Sequence, residues 1–288
     1  MCRVEHFLST QCELGEGPLW DHRAGSLYWV DINGCTIQRY DPKQERREVF
    51  QAGVQVGALG LRAQGGFVAA TNRGLVFWQP VDNSMQFIVN PEEGKPGARF
   101  NDAKVDPGGR FWAGSMTFDD ASSSLYRLDP DLSLHVMQTG ITISNGLGWS
   151  PDGQTLYHAD TRRQTIFAYD YGMDSGAITN KRIFCQFQHA EGFPDGLTVD
   201  CEGGVWCALW GGWRVVCISP EGRLVDEIRL PTAQPSCCAF GGNQLDELYI
   251  TTAFEGMLAD ERISQPLAGD VFVARPGVKG RPEPEFSG

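Results

Sequence analysis

The sequence predicts an all-β chain folded as a six-bladed β-propeller. Each blade has four antiparallel strands, and the N- and C-terminal strands pair to close the ring. Three observations predict it. A strand–turn–strand unit recurs six times, it recurs about every 40–50 residues, and no stretch carries convincing helical periodicity.

The repeat is clearest in the apolar strand that follows each Gly-rich turn. These strands begin at Leu27, Phe67, Phe111, Leu156, Val205 and Leu248, as in Leu27-Tyr28-Trp29-Val30 and Val205-Trp206-Cys207-Ala208. A third strand ends near a turn of related lettering, Arg39-Tyr40-Asp41-Pro42 in the first copy and Arg127-Leu128-Asp129-Pro130 in the third. The stretches 46–50, 85–89, 134–137, 182–187 and 224–230 supply a fourth. The strands are apolar on both faces, as sheets packed against a neighbour on each side require. The sixth copy lacks an outer strand at the C-terminus, and Val4-Glu5-His6-Phe7-Leu8 can supply it. The expectation is one domain over residues 1–288, with an acidic insertion in the last blade, 254–268, as a lid or a surface loop.

Composition narrows the function. The formal charge is -12 and the acids are scattered, which argues against nucleic acid and anionic membranes as partners. No apolar run approaches the roughly 18 residues needed to cross a bilayer, and the first residues do not read as a signal peptide. Nine cysteines without a C-x-x-C pair read as reduced, mostly buried thiols in a cytoplasmic protein, several of them (Cys35, Cys185, Cys207, Cys217) inside strands.

In a propeller the first strand of every blade lines the central channel, so equivalent residues converge at one level. Counting back about ten to twelve residues from each second strand gives Glu16, Val56 with Gly57, Asn101, Asn145, Asp195 and Ser236. Asn or Asp before Gly is an ordinary turn residue, but Glu before Gly-Pro is not, and four carboxylate or carboxamide side chains in six equivalent places exceed turn preference. Carboxylates crowded in a channel repel each other unless a cation neutralises them. Carboxylate and carboxamide oxygens without His or Cys suit a hard divalent ion such as Ca²⁺, Mg²⁺ or Mn²⁺, with Zn²⁺ and Fe²⁺ left open.

The stretches Leu14-Gly15-Glu16-Gly17-Pro18-Leu19-Trp20, Arg99-Phe100-Asn101-Asp102 with its continuation to Gly109, Ser144-Asn145-Gly146-Leu147-Gly148-Trp149, and Pro194-Asp195-Gly196-Leu197 together resemble the SMP-30/gluconolactonase family of regucalcin and the bacterial sugar lactonases. The resemblance runs in order from about Cys12 to Arg275. It implies a six-bladed propeller that binds one divalent metal cation and hydrolyses sugar lactones. Carried over by motif, it implies Glu16, Asn145 and Asp195 as metal ligands, with Arg99 and Asn101 on the lactone. Asp119 falls where the family often places a Glu that binds sugar hydroxyls, one methylene longer.

The expected reaction is hydrolysis of an aldonolactone such as glucono-, arabino- or xylonolactone. The metal acts as Lewis acid, and Asp195 is the general base or orients a metal-bound hydroxide. A phosphotriesterase or esterase propeller is one alternative, and a non-catalytic divalent-metal-binding or docking propeller is another. The histidines show no metal-like pairing, and no G-x-S-x-G elbow offers a serine nucleophile. Asp31 and Asp160, at the ends of second strands, read as structural. Trp149, Trp210 and Trp213 read as core or as platforms for a sugar face.

Overall fold

A computed structural model describes residues 3–117 and 121–288. Six sheets follow one another around an axis as the blades of a β-propeller, as the repeat predicts. The inner strands are Gly15–Asp21, Val56–Arg62, Arg99–Val105, Ser144–Trp149, Phe193–Val199 and Pro235–Gly241, in blades 1 to 6. Each touches the inner strands of both adjoining blades, and the sixth returns to the first.

Burial explains why the strands read as apolar on both faces. Second strands such as Ser26–Asp31 and Phe111–Met116 are buried at every position, whereas the outer strand Arg46–Gln51 is largely exposed. Among the described residues, the apolar core divides into clusters at the junctions between blades. Leu19, Tyr28 and Ile37 of blade 1 meet Val56, Phe67 and Trp78 of blade 2, and similar clusters fill the other junctions. Burying one large apolar side chain of this kind contributes about 1.5–3 kcal/mol. Hairpin turns at the end of the inner strands are tied by aspartates that also reach into the core. Asp106 and Asp200 accept from the indole nitrogens of Trp112 and Trp206, at 2.8 and 2.9 Å.

The ring closes as expected. Val4–Leu8 pairs antiparallel with Val271–Ala274, so the first strand of the chain becomes the outer strand of the last blade. Beyond Ala274 the chain does something unforeseen. It crosses the end of the ring where the inner strands finish, and the Lys279 carbonyl accepts from Cys201 N at 2.8 Å. Arg281 then donates to the Trp149 carbonyl, and Glu285–Phe286 pairs in parallel with Val56–Arg62, giving blade 2 a fifth strand.

Two smaller expectations are corrected. The insertion contains a short helix, Ala259–Ser264, only six residues long and with no buried face to impose a period. Cys35 sits at φ +51° in the turn before its strand and not inside it, because a tight reversal there needs the left-handed conformation. The cysteines among the described residues are free. No helix among the described residues is long and apolar enough to cross a membrane.

Candidate metal and substrate site

All six inner strands slip register near their starting ends. The slips fall between Glu16 and Leu19, Val56 and Ala58, Phe100 and Ala103, Asn145 and Leu147, Pro194 and Leu197, and Pro235 and Cys237. A bulge bends a strand and re-aims its side chains. Repeated at one level of the ring, it lies at or beside every position that the repeat aligned: Glu16, Gly57, Asn101, Asn145, Asp195 and Ser236. Glycine is needed at the bend. A β-carbon on Gly146 would lie 2.5 Å from the Asp195 carbonyl oxygen, and one on Gly196 would lie 2.8 Å from the Cys237 α-carbon.

The structure puts two of the three expected ligands in contact and leaves the third, Glu16, close enough to feel the Asp195 charge. Asn145 and Asp195 are buried and in direct contact, the Asn145 Nδ2 donating to Asp195 Oδ1. Nδ2 also donates to Thr161 Oγ1 at 3.2 Å, while Asn145 Oδ1 accepts from Gly146 N at 3.2 Å. Glu16 accepts from Gly17 N at 3.1 Å. Burial, and then the charges of Asp195 and Asp102, push the Glu16 carboxyl well above the usual carboxylate range. Burial followed by the charge of Asp102 does the same to Asp195.

Arg99 and Asn101 flank this group. Arg99 Nη1 donates to Asn101 Oδ1 at 2.8 Å and to the Phe100 carbonyl at 3.0 Å, and Asn101 Nδ2 donates to the Ser144 carbonyl at 3.0 Å. Burial lowers the Arg99 pKa against the opposing pull of Glu255, Glu16 and Asp195. Asp119 lies outside the described residues.

Asp102 follows Asn101 in the Arg99–Asp102 stretch, and the repeat does not align it with the channel positions. Its side chain lies in the same channel, where burial raises its pKa to about 6 against the pull of Lys104. The Lys104 ammonium in turn lies 3.1 Å from Glu283 of the C-terminal crossing. The interior around these three narrows to a void of about 20 Å³, bordered by Asp102, Lys104, Cys237 and Glu283, with room for about one water. Only the alternation of acid and base in Asp102-Ala103-Lys104 hinted at this column.

The insertion is pinned at its base beside the site. Phe254 N and Glu255 N both donate to the Glu13 carbonyl, and Asn33 Nδ2 bridges the Glu13 and Glu255 carboxylates at 3.1 and 2.9 Å. Glu255 is the acid whose charge acts most strongly on Arg99. The tryptophans divide. Trp149 lies at the far end of its strand, packed edge-on to Trp112. Half-buried Trp210 leans from blade 5 onto the cluster between blades 1 and 2, and Trp213 is 43% exposed in the adjoining turn. Asp31 and Asp160 are structural, as expected, accepting from the backbones of Glu13 and Thr142.

Among the described residues, no three His, Cys, Asp or Glu side chains form a metal-holding group. The set here is two carboxylates and one carboxamide, which is a different arrangement. The donor chemistry nonetheless fits a hard divalent cation. All three donors are oxygens, both acids resist ionisation where they stand, and the neighbouring Arg99 divides its charge among several partners.

A ring of six sheets with an oxygen-rich cluster at the bulged end of its channel defines a six-bladed β-propeller with a polar site at one mouth. The chain belongs to the SMP-30/Gluconolactonase/LRE-like family, whose model matches residues 14–254. It is 39% identical over 282 residues to YvrE of Bacillus subtilis (strain 168), named as a candidate sugar lactone lactonase, covering 97% of each chain. It is 38% identical over 278 residues to 6-deoxy-6-sulfogluconolactonase of Pseudomonas putida, covering 96% of this chain and 95% of the other. Among solved structures it resembles the calcium-binding protein regucalcin of Agrobacterium tumefaciens str. C58. That likeness has a TM-score of 0.94 and 27% identity, over 98% of this chain and 96% of that one.

Proposed function

We propose that this chain hydrolyses a sugar lactone to its aldonic acid, with Glu16, Asn145 and Asp195 holding a divalent cation. The observation that carries the reading is the direct bond between Asn145 and Asp195 at the bulged level of the channel, with Glu16, remote in sequence, close enough to feel the Asp195 charge. The lactonase names among the relatives support the reaction class, and the calcium-binding name of the regucalcin structure supports a divalent cation.

A bound cation would polarise the lactone carbonyl and offset the negative charge that develops on it. Asp195 takes a proton from the attacking water, whose oxygen bonds to the carbonyl carbon. The ring C–O bond then breaks, and that proton passes to the departing ring oxygen. Standing beside the proposed cation, the Asp195 carboxylate is within reach of an adjacent water. Arg99 and Asn101, joined to each other and to the blade 4 backbone, orient the sugar hydroxyls. Asp119 is assigned to the same task by motif. This polar mouth gives no support to an apolar phosphotriester.

The whole chain acts as one domain in this reading, since its first strand completes its last blade. The free thiols support a cytoplasmic setting. The test is pH-indicator hydrolysis of a panel of aldonolactones, with and without chelator, after subtracting spontaneous opening. Hydrolysis above background that a chelator abolishes supports the proposal. No hydrolysis of any lactone by protein that binds Ca²⁺ would leave a cation-binding propeller without this activity.

A further inference from the structure

A carboxamide has two ends, and only its oxygen can ligate a cation. At Asn145 the oxygen accepts from Gly146 N at 3.2 Å, and the nitrogen is met by a residue outside the ligand set. Thr161 opens the short turn Thr161–Arg163 that follows the second strand of blade 4, Thr155–Asp160. Its backbone N donates to the Ile143 carbonyl at 3.1 Å, which fixes it beside the start of the Asn145 strand.

The Thr161 hydroxyl hydrogen is already committed, because Oγ1 donates to the Pro194 carbonyl at 2.9 Å. Oγ1 therefore presents only lone pairs to Asn145, and it accepts from Nδ2. A flipped carboxamide would set Oδ1 against an oxygen with no hydrogen left to give. Asp195 also accepts from Nδ2, but a carboxylate drawn to a cation has less to offer that hydrogen. Thr161 has no such competing duty.

We propose that Thr161 is a positioning residue for the cation site. It turns the Asn145 oxygen toward the ion and, through Pro194, holds the strand that carries Asp195. This rests on the cation reading above. Residues outside the first ligand shell that orient ligands commonly change metal affinity about 10–100-fold.

The test is isothermal titration of chelator-stripped protein with Ca²⁺ and with Mn²⁺, paired with melting of the same stripped samples. Thr161→Val keeps the branched shape and removes the hydroxyl, whereas Thr161→Ser keeps the hydroxyl. The expected result is cation affinity lowered at least about tenfold in the Val variant and within about twofold of the parent in the Ser variant. Melting of the stripped Val variant should change little. Parent-like affinity in the Val variant overturns the proposal, as does a loss that the Ser variant shares. If the Val variant does not fold, Thr161→Ala makes the same comparison with Ser. A parent that binds neither ion overturns the cation reading and this proposal together, while a binding parent with an indifferent Val variant overturns only this one.

Discussion

Lys104 and Glu283 form an ion pair at 3.1 Å inside the ring, joining the inner strand of blade 3 to the C-terminal crossing. Burial works against the Lys104 charge, yet Glu283, followed by Cys237 and Asp102, holds the ammonium above its ordinary pKa. The pair is mostly enclosed, with side-chain exposures of 21% and 11%. Removing one partner leaves the other as a poorly solvated charge.

Glu283→Gln should therefore destabilise the protein by about 2–3 kcal/mol, which lowers the melting temperature by roughly 3–5 °C. The double variant with Lys104→Met should recover most of that loss. Differential scanning calorimetry checks both, and an unchanged melting temperature in the single variant would show that the pair is solvated.

Asp195→Asn should lower kcat/KM on a responsive lactone by about 10²–10⁴-fold. It should also raise the melting temperature of chelator-stripped protein near pH 7.5, because it removes a buried charge that repels Glu16. Activity and stability move in opposite directions in this prediction, so a variant that merely misfolds is easily told apart.

The stripped protein should lose stability as pH climbs from about 4 through about 6. Asp102 is raised to about 6 in the fold, so the folded chain holds this proton more tightly than the unfolded chain does. Glu16 and Asp195 shift in the same direction. The stabilising contribution is present at low pH and fades as these groups are forced to ionise. Melting curves at several pH values check this, and Asp102→Asn should flatten the slope. Added Ca²⁺ should raise the melting temperature more at pH 7.5 than at pH 5.

Gly146→Ala should cost about 1–3 kcal/mol and weaken cation binding, since its β-carbon would press on the Asp195 carbonyl and on Leu197. Titration with Ca²⁺ together with thermal melting reads both effects.

The blades were legible in the sequence because each unit repeats an apolar strand, a Gly-rich turn and another strand, and because burial on both faces forces continuous apolar runs such as Leu27 to Val30. Glu16, Asn145 and Asp195 could be aligned because radial repetition places equivalent residues at one level. Other features leave little trace. Glu285–Phe286 pairs over only two residues, too few to show a period, and its parallel partner is over two hundred positions away. The helix Ala259–Ser264 is too short for a helical period to emerge. Thr161 is one hydroxyl among many until the chain folds and sets it between Asn145 and Pro194. Asp102 looked like the partner of Asn101 in a motif, and its place in the channel follows from a bulge that sequence does not mark.

That bulge recurs in every inner strand, including at Val56 with Gly57 and at Ser236, which carry no acid. The scaffold thus offers six equivalent seats, of which the proposed chemistry occupies some and leaves others to small or apolar residues. Two of those seats are closed to larger donors: a β-carbon on Gly57 would lie 2.0 Å from the Asn101 carbonyl oxygen, and fully buried Ser236 is held by Gly15 and Thr251. Variation in chemistry on this plan is therefore confined to the seats whose backbone leaves room for a side chain.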